Sequence, residues 1–455
     1  MPCQNGGTCQ DTDTSYTCTC NTGWTGENCT RFEGDFNHEY ALMIMLNHYY
    51  ASNESSLIYM TTNTSATVEI STSNNMEPSL KSAIDRTFFF TTQLKVTLPP
   101  EMQSMSFQKE AKAVKIRSTQ PITVVLFDNN YLQSNDGSLI FPVEKLDTRY
   151  LVMSTEPRDE MHPIYASVFG IVALEDETLV KINFKLDNNA RPLTINGKNY
   201  SDSDTFEISL NDLETLQLEH SADLTGTLVE ASKPVAVFSG NRCNMFPESI
   251  RCSHLMEQMT PISHFGNSYC VSADFTSDVT RLSIMTEESV PTRGAIIVGY
   301  SVHSMKLIPR VPFEFTLRAN ETAYVFLASP RVFVTSLVKG NKNNGSPYMV
   351  TIPDTSQYKS QYIIPIPEGY STNYITILIA LRFKADLRLN GQVLQQEKIL
   401  FEGRNVMNEG MLGSFFTMEV PPGVLNITTI TGSPFGLTVF GYRYLDSYGF
   451  AGNIV

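Results

Sequence analysis

The clearest indication of the fold is the stretch Val229-Glu-Ala-Ser-Lys-Pro-Val-Ala-Val237, which has a counterpart in Ile116-Arg-Ser-Thr-Gln-Pro-Ile-Thr-Val124. Each copy has a small residue, then a proline at a strand entrance where no ladder hydrogen bond is lost, then alternating apolar residues. Leu327-Ala-Ser-Pro-Arg-Val-Phe-Val334 and Ile430-Thr-Gly-Ser-Pro-Phe-Gly-Leu437 follow the same outline. The pattern predicts a chain of short strands that repeats one unit.

Shorter matches give the spacing of the repeat. The matched pairs are Phe206-Glu-Ile-Ser-Leu210 with Phe313-Glu-Phe-Thr-Leu317, Leu193-Thr-Ile-Asn-Gly197 with Leu387-Arg-Leu-Asn-Gly391, and Leu98-Pro-Pro100 with Val420-Pro-Pro422. Their offsets of 107, 194 and 322 residues are close to one, two and three steps of a common unit. A unit of roughly 100 residues has the size of a β-sandwich, whereas a single β-helix would repeat every 20–30 residues or so.

We therefore predict an all-β chain with a tandem array of four diverged sandwich units. The expected units are residues 36–145, 147–258, 262–356 and 358–455. The matches also predict that Phe206 and Phe313 occupy equivalent inward positions of successive units, and that Leu193 and Leu387 are equivalent in the second and fourth.

Composition excludes several classes of function. The chain has 455 residues, only 33 of them basic, and a formal net charge of −14, so it lacks the basic surface that nucleic-acid or anionic-lipid binding requires. Its most apolar run, Tyr374 to Phe383, is about half as long as a membrane-spanning helix and is typical of a strand buried on both faces. We expect no membrane span in this chain.

The first 29 residues contain a dense cysteine framework. The text reads Pro2-Cys3-Gln4-Asn5-Gly6-Gly7-Thr8-Cys9, then Tyr16-Thr17-Cys18-Thr19-Cys20, then Gly23-Trp24-Thr25-Gly26-Glu27-Asn28-Cys29. So small a module holds its shape by crosslinks instead of by a core. Because no secretory signal precedes Cys3, we expect the native N-terminus to lie upstream.

This pattern resembles the EGF-like domain, here residues 1–30. The resemblance implies disulfides Cys3–Cys18 and Cys20–Cys29, and it leaves Cys9 unpaired because the partner of Cys9 would precede Met1. The run from Cys9 through Asp11 to Cys18 is also similar to the inner half of a calcium-binding EGF signature. Asp11 is therefore a weak calcium candidate that would need the missing N-terminal part; otherwise it is a turn residue. No other cofactor and no other metal site are expected.

A second resemblance covers residues of about 110–450. The residues that carry it are Ser232-Lys-Pro-Val-Ala-Val-Phe-Ser-Gly-Asn241, Cys243, Cys252, His254-Leu255, Glu257-Gln258, Pro434-Phe-Gly436, Phe440-Gly-Tyr442 and Ser447-Tyr-Gly449. They are similar to the N-terminal domain of IgG Fc-binding proteins, a secreted, mucus-associated family. Ser253, Thr260 and Phe265 depart from the family pattern, which usually has Asp, Pro and Trp there.

The three later cysteines show no zinc spacing, since no Cys-x-x-Cys motif occurs. Cys243 and Cys252 bracket an eight-residue loop that contains Pro247. We predict a disulfide between them, which would stabilise the loop by up to about 3 kcal/mol. Cys270 is then left over, either buried and inert or a handle for an intermolecular bridge.

His254 and Glu257 are the one pair of residues that invites a chemical interpretation. A helical turn over Ser253 to Met259 would place them side by side, as in a metal or acid/base pair. No third ligand or nucleophile is visible nearby, so a structural hydrogen bond after Cys252 is the favoured interpretation. With no Gly-x-Ser-x-Gly elbow and no phosphate loop, no catalytic residue is assigned and a non-enzymatic protein is expected.

Together these features predict an extracellular or secreted recognition and adhesion protein that binds a glycoprotein. The family resemblance implies a mucin- or immunoglobulin-like ligand. The alternative is a structural component of mucus or extracellular matrix, crosslinked into covalent oligomers through Cys9 or Cys270. Candidate glycosylation sites that would mark solvent-facing turns are Asn53, Asn63, Asn199, Asn320 and Asn426.

Overall fold

The computed structural model describes residues 2–11, 15–32, 34–47, 55–128, 135–157, 162–187, 189–246, 252–340, 345–406 and 411–452. These residues are almost entirely β-structure, and all paired strands are antiparallel. Among them the single α-helix is α1 (Pro78–Ile84), and the other helical pieces are short 3₁₀ turns. The all-β fold predicted from the sequence is confirmed.

The N-terminal module is built from two small hairpins. Its strands are β1 (Thr8–Asp11), β2 (Tyr16–Thr19), β3 (Trp24–Thr25) and β4 (Arg31–Phe32). The Trp24 ring lies 5.2 Å from Phe32, and Phe32 lies 5.1 Å from Phe36. The guanidinium of Arg117, in the first unit, covers Phe36 at 5.0 Å. The module therefore packs on the first unit through a row of aromatic rings.

The body contains four groups of strands. The first group is β5 (His38–Leu42), β6 (Ser56–Thr61), β7 (Ala66–Thr72), β8 (Arg86–Phe90), β9 (Gln93–Leu98), β10 (Lys109–Glu110), β11 (Val114–Ser118), β12 (Thr123–Phe127) and β13 (Gly137–Ile140). The second is β14 (Asp147–Leu151), β15 (Ser167–Ala173), β16 (Thr178–Asn183), β17 (Leu193–Ile195), β18 (Lys198–Tyr200), β19 (Thr205–Leu210), β20 (Thr215–His220), β21 (Leu228–Asn244) and β22 (Ser253–Gln258).

The remaining strands form the third and fourth groups. The third is β23 (Ser268–Ser272), β24 (Thr280–Met285), β25 (Arg293–Val298), β26 (Ser301–Ser304), β27 (Phe313–Leu317), β28 (Thr322–Ser329), β29 (Phe333–Val338) and β30 (Tyr348–Thr351). The fourth is β31 (Gln361–Ile366), β32 (Thr372–Ala380), β33 (Leu387–Leu389), β34 (Gln392–Val393), β35 (Ile399–Val406), β36 (Leu412–Glu419), β37 (Gly423–Thr429), β38 (Gly436–Arg443) and β39 (Asp446–Ala451). We call these groups units 1 to 4.

One topology is repeated in every unit. We letter eight strands of each unit a to h in chain order, leaving out β10, the hairpin of β17 and β18, and β35, and in unit 2 counting β21 as both f and g. One sheet then has the order a-f-c-d and the other h-g-b-e. In unit 1 these sheets are β5-β11-β7-β8 and β13-β12-β6-β9, and in unit 3 they are β23-β28-β25-β26 and β30-β29-β24-β27. Unit 4 has β31-β37-β33-β34 and β39-β38-β32-β36, with β35 added outside β36. The same strand order therefore recurs in the groups of strands, in agreement with the predicted repeat.

Unit 2 varies the plan because its f and g strands are continuous. The 17-residue strand β21 pairs with β14 and β16 through its first half, and with β15 and β22 through its second half. In units 1, 3 and 4 the chain breaks between f and g, at Pro121, Pro330 and Pro434. The four similar proline-containing stretches of the sequence are thus the f-to-g passages of the four units.

Neither of the two finer matches identifies the same strand. Leu193 lies in β17, a hairpin arm between strands c and d of unit 2, whereas Leu387 lies in β33, strand c of unit 4. The two leucines share only the Asn-Gly turn that follows three residues later, with positive φ at both turn residues. The match of Phe206 to Phe313 is wrong, because Phe206 lies in strand d of unit 2 and Phe313 in strand e of unit 3. A Phe-Glu-x-x-Leu alternation fits any half-buried edge strand, so it does not identify which strand repeats.

A tyrosine in strand a is common to all four units. Its hydroxyl donates a hydrogen bond to the carbonyl oxygen at the start of strand g. The four pairs are Tyr40–Ile122, Tyr150–Val235, Tyr269–Val332 and Tyr362–Phe435. Burial raises the pKa of Tyr40 to about 12, and burial likewise raises the pKa of the other three. This hydrogen bond connects the two sheets of each sandwich.

Replacing Tyr362 with phenylalanine is expected to destabilise the protein by about 1–3 kcal/mol. The change leaves the Phe435 carbonyl, and the Lys359 N–H that donates to the same hydroxyl, without their partner. Urea unfolding measures the loss, with Tyr444→Phe on an exposed side chain as the control. Equal stability of the two variants would show that the hydroxyl contributes nothing.

The four h strands meet at the centre of the molecule. β13 contacts β22, β22 contacts β30, β30 contacts β39, and β39 contacts β13, so the units close into a ring. We call these four strands the central junction. The apolar interiors of units 1, 3 and 4 form one continuous cluster, while most of the interior of unit 2 forms a second.

Candidate functional site

His254 and Glu257 lie in the central junction and not on a helix. The predicted helical turn over 253–259 is wrong, since Ser253–Gln258 is strand β22, which pairs with the second half of β21. Residues three apart on a strand point to opposite faces. His254 accordingly contacts the Asp128 carboxylate of unit 1, whereas Glu257 accepts a hydrogen bond of 3.3 Å from the Thr351 N–H of unit 3.

Asp136, immediately before β13, contacts the main chain of all four units. Its carboxylate accepts hydrogen bonds from the N–H groups of Gly137 (2.9 Å), Met256 (3.4 Å), Gly449 (3.4 Å) and Met349. The side chain has no exposed surface. One carboxylate thus links strands from every sandwich, a function that no local sequence pattern indicates.

Burial dominates the electrostatics of this region. It raises the pKa of Asp136 well above its ordinary value, against the opposing effect of the four N–H donors. Burial also raises the pKa of Glu257, and the nearby Asp136 raises it further. These carboxyl groups, like His254, are enclosed by strands of several units. The central junction is therefore a structural centre that a ligand in solution does not reach.

The cysteines are paired as expected from the sequence. Bonds join Cys3 to Cys18, Cys20 to Cys29 and Cys243 to Cys252, with Cα atoms 5.5, 5.3 and 5.1 Å apart. Pro247, in the loop of the third bridge, lies outside the described residues. That bridge connects the end of β21 to the residue before β22, and so holds the entry to the central junction.

The two remaining cysteines differ in environment. Cys9 is half-buried, and its sulfur accepts a hydrogen bond of 3.2 Å from the Cys3 N–H. Cys270 is buried where unit 3 packs on unit 4, in a cluster with Tyr324, Leu378 and Phe415. Burial raises the pKa of Cys270 to about 12. Of the two outcomes foreseen for Cys270, the structure supports the buried, unreactive one.

We expect Cys270→Ala to leave the pattern of covalent species unchanged on non-reducing electrophoresis. Its thiol is enclosed and stays protonated at neutral pH, so it forms no thiolate for exchange. Cys9→Ala should remove any disulfide-linked dimer of this chain. A dimer that survives Cys9→Ala but disappears in Cys270→Ala would contradict this assignment.

The candidate modification and calcium residues are on the surface to different degrees. Asn63, Asn199 and Asn320 are exposed at or beside turns, while Asn426 is half-buried in β37 and its side-chain oxygen accepts from Gln361. Asn53 lies outside the described residues. Asp11 is exposed at the end of β1, and calcium binding there stays a prediction.

A groove with a volume of about 320 Å³ lies between unit 1 and unit 4. Its floor comes from strands g and h of unit 1, and its opposite wall from β31 of unit 4. Two linkers complete it. Lys145 ends the 3₁₀ turn that leads into unit 2, and Lys359 follows the 3₁₀ turn that leads into unit 4. Asn63 lies at the rim.

An exposed sheet edge is the second accessible feature. All four residues of β26 (Ser301–Ser304) are exposed, and in the described residues β26 pairs only with β25. Tyr300, in the turn before it, is fully exposed, and Val302 is 68% exposed. An unpaired edge presents free N–H and C=O groups, and no charged side chain protects this one. Such an edge is suited to pairing with an extended segment of a partner.

Among the described residues no helix is both long and apolar enough to cross a membrane.

The human IgGFc-binding protein is 27% identical to this chain over 378 residues, which are 79% of this chain but 6% of that protein. Fibropellin-1 of Strongylocentrotus purpuratus is 54% identical over 33 residues, 7% of this chain and 3% of its own length. A solved structure of the eight N-terminal Ig domains of the Down syndrome cell adhesion molecule gives a TM-score of 0.09 at 12% identity, covering 92% of this chain and 54% of that one, and so bears on nothing here.

Family models assign the two parts of the chain separately. The EGF-like domain model matches residues 1–28, which contain β1 to β3 of the N-terminal module. The IgGFc binding protein model matches residues 136–441, from Asp136 through units 2 and 3 to strand g of unit 4. The second match covers well over half of the chain, and it includes three of the four strands of the central junction and both cysteines of the third bridge. The chain therefore belongs to the IgGFc-binding protein family and carries an EGF-like domain at its N-terminal end.

Proposed function

We propose that this chain is an extracellular, non-enzymatic recognition protein that binds a glycoprotein, with a mucin or an immunoglobulin as the ligand class. The observation that carries the proposal is the family match over residues 136–441. The fold agrees with it, because the buried polar groups join the units to each other while a groove and an unpaired edge remain accessible. The chain spans only 6% of the human relative, so the ligand class is a proposal for this chain and not a known property of it.

Binding of the purified chain to immobilised immunoglobulin Fc fragment and to immobilised mucin tests the proposal. We expect saturable binding to at least one of them in biolayer interferometry. The same chain after reduction and alkylation is the control, since loss of the bridges should abolish specific binding. Absence of binding to both ligands would refute the recognition function.

The alternative is a covalently crosslinked component of mucus or matrix. The enclosed Cys270 removes one of the two cysteines on which that alternative depends, and leaves Cys9. Non-reducing electrophoresis of the protein as secreted separates the two functions, because only the structural one requires covalent oligomers.

A further inference from the structure

The groove between units 1 and 4 contains two cationic side chains without ionic partners. Ten other lysines form ion pairs with carboxylates. Among the described residues, no carboxylate oxygen lies within 4.0 Å of the ammonium of Lys145 or of Lys359. In a chain with a net charge of −14, two lysines that share a groove with the one carboxylate of Glu144 give a local excess of positive charge.

The two ammonium groups act on each other across the groove. Partial burial lowers the pKa of Lys359, the like charge of Lys145 lowers it further, and Glu144 offsets part of this effect. The lysines come from separate linkers, Lys145 from the one after unit 1 and Lys359 from the one after unit 3, so the ring brings them together. An anion between them would relieve their repulsion and replace lost water contacts.

The remaining walls combine polar and apolar groups, as a sugar ring requires. The amide of Gln361 and the imidazole of His38 offer hydrogen-bonding groups, and Pro121 offers an apolar surface. A volume near 320 Å³ is at the lower end of the range for small-ligand sites, a size suited to one or two sugar rings.

We propose that this groove binds an acidic saccharide whose carboxylate or sulfate group lies between Lys145 and Lys359. The inference rests on the proposed function, since it names the part of a glycoprotein that the chain recognises. Both a sialic acid and a sulfated sugar supply the required anion. Glu144 at the rim limits affinity by repelling the same group.

Isothermal titration of the full chain with 3′-sialyllactose, a sulfated lactose and neutral lactose tests the inference. We expect at least one acidic sugar to bind at least tenfold more tightly than lactose, because only the acidic sugars can form charge-assisted hydrogen bonds with the two lysines. Preference for the sialylated or the sulfated probe identifies the natural source of the anion. Equal binding of all three, or no binding, would overturn the inference.

Variants locate the site. Lys145→Ala and Lys359→Ala should each weaken binding of the acidic sugar about tenfold, and Glu144→Gln should strengthen it. Lys398→Ala removes the same charge from an exposed position outside the groove and should change nothing. Equal weakening by Lys398→Ala would mean that only net charge matters, and would overturn the assignment.

Two further controls test whether the groove itself holds the sugar. Asn63→Gln removes a glycosylation candidate at the rim; binding should persist or improve, and its loss would mean that the sugar recognised the glycan and not the groove. The original chain is tested with the acidic sugars, and the double variant Lys145→Ala/Lys359→Ala with Fc fragment and mucin. If the original chain binds no acidic sugar while the double variant still binds Fc fragment or mucin, the groove assignment fails and the recognition function stands. If neither protein ligand nor sugar binds, both fail.

Discussion

Replacing Asp136 with alanine is expected to lower the free energy of unfolding by roughly 4–8 kcal/mol, the largest effect of any single substitution considered. The change removes the acceptor of four buried N–H groups, one from each unit. A buried donor left without a partner costs about 1–3 kcal/mol, and a typical domain has only about 5–15 kcal/mol of net stability. We therefore expect the four units to separate, and thermal unfolding to begin at the junction.

The measurement is chemical denaturation combined with hydrogen exchange at the four amides. Asp187→Ala is the matched control, because Asp187 is exposed and its side chain makes no hydrogen bond in the described structure. Asp136→Asn retains one carbonyl acceptor and should give an intermediate loss. If Asp136→Ala were as stable as Asp187→Ala, the carboxylate would have no role in holding the ring together.

The second large effect is expected for Gly240→Ala, at about 3 kcal/mol of destabilisation. Gly240 lies in β21 opposite β22, and a Cβ atom there would lie 1.8 Å from the Leu255 carbonyl oxygen and 3.1 Å from the Met256 nitrogen. The obstacle is main chain, which no rotamer change moves. The methyl group must therefore separate β22 from β21, and β22 belongs to the central junction.

Gly403→Ala provides the comparison within the same protein. Gly403 is also a strand glycine, but a Cβ atom there would meet only side-chain atoms, Thr322 Cγ2 at 3.1 Å and the Phe401 ring at 3.2 Å. We expect a change below about 1 kcal/mol. Differential scanning calorimetry of both variants decides the matter, and a tolerated Gly240→Ala would show that β22 has room to shift.

The sequence predicts the elements that depend on local chemistry. The EGF-like module, the proline at the f-to-g passage and the Asn-Gly turns of Leu193 and Leu387 are readable because each has a specific local requirement. The f-to-g stretch with Gly240 belongs to the family motif, but the reason for its glycine, the approach of the Leu255 main chain, appears only in three dimensions.

The predictions fail where the same sequence pattern fits more than one structural element. A spacing of three favours a helical turn for His254 and Glu257, yet pairing with β21 imposes a strand. Phe206 and Phe313 share a pattern that any edge strand can have. The strand-a tyrosine escapes sequence comparison although it recurs in every unit, because one residue per unit of about 100 gives a weak repeat. The limits of the four units stay predictions, to be tested by expressing each range separately.

The closure of the ring has a consequence for biosynthesis. Asn135 donates hydrogen bonds to Asp446, 311 positions later, so the first unit is completed by the last strand. During translation, units 1 to 3 emerge with their h strands uncovered and must wait for β39 before the centre can close. Contacts of such long sequence separation form slowly and leave apolar surface exposed meanwhile. A chain that ends prematurely before residue 446 therefore presents an open centre, the kind of surface that folding quality control retains.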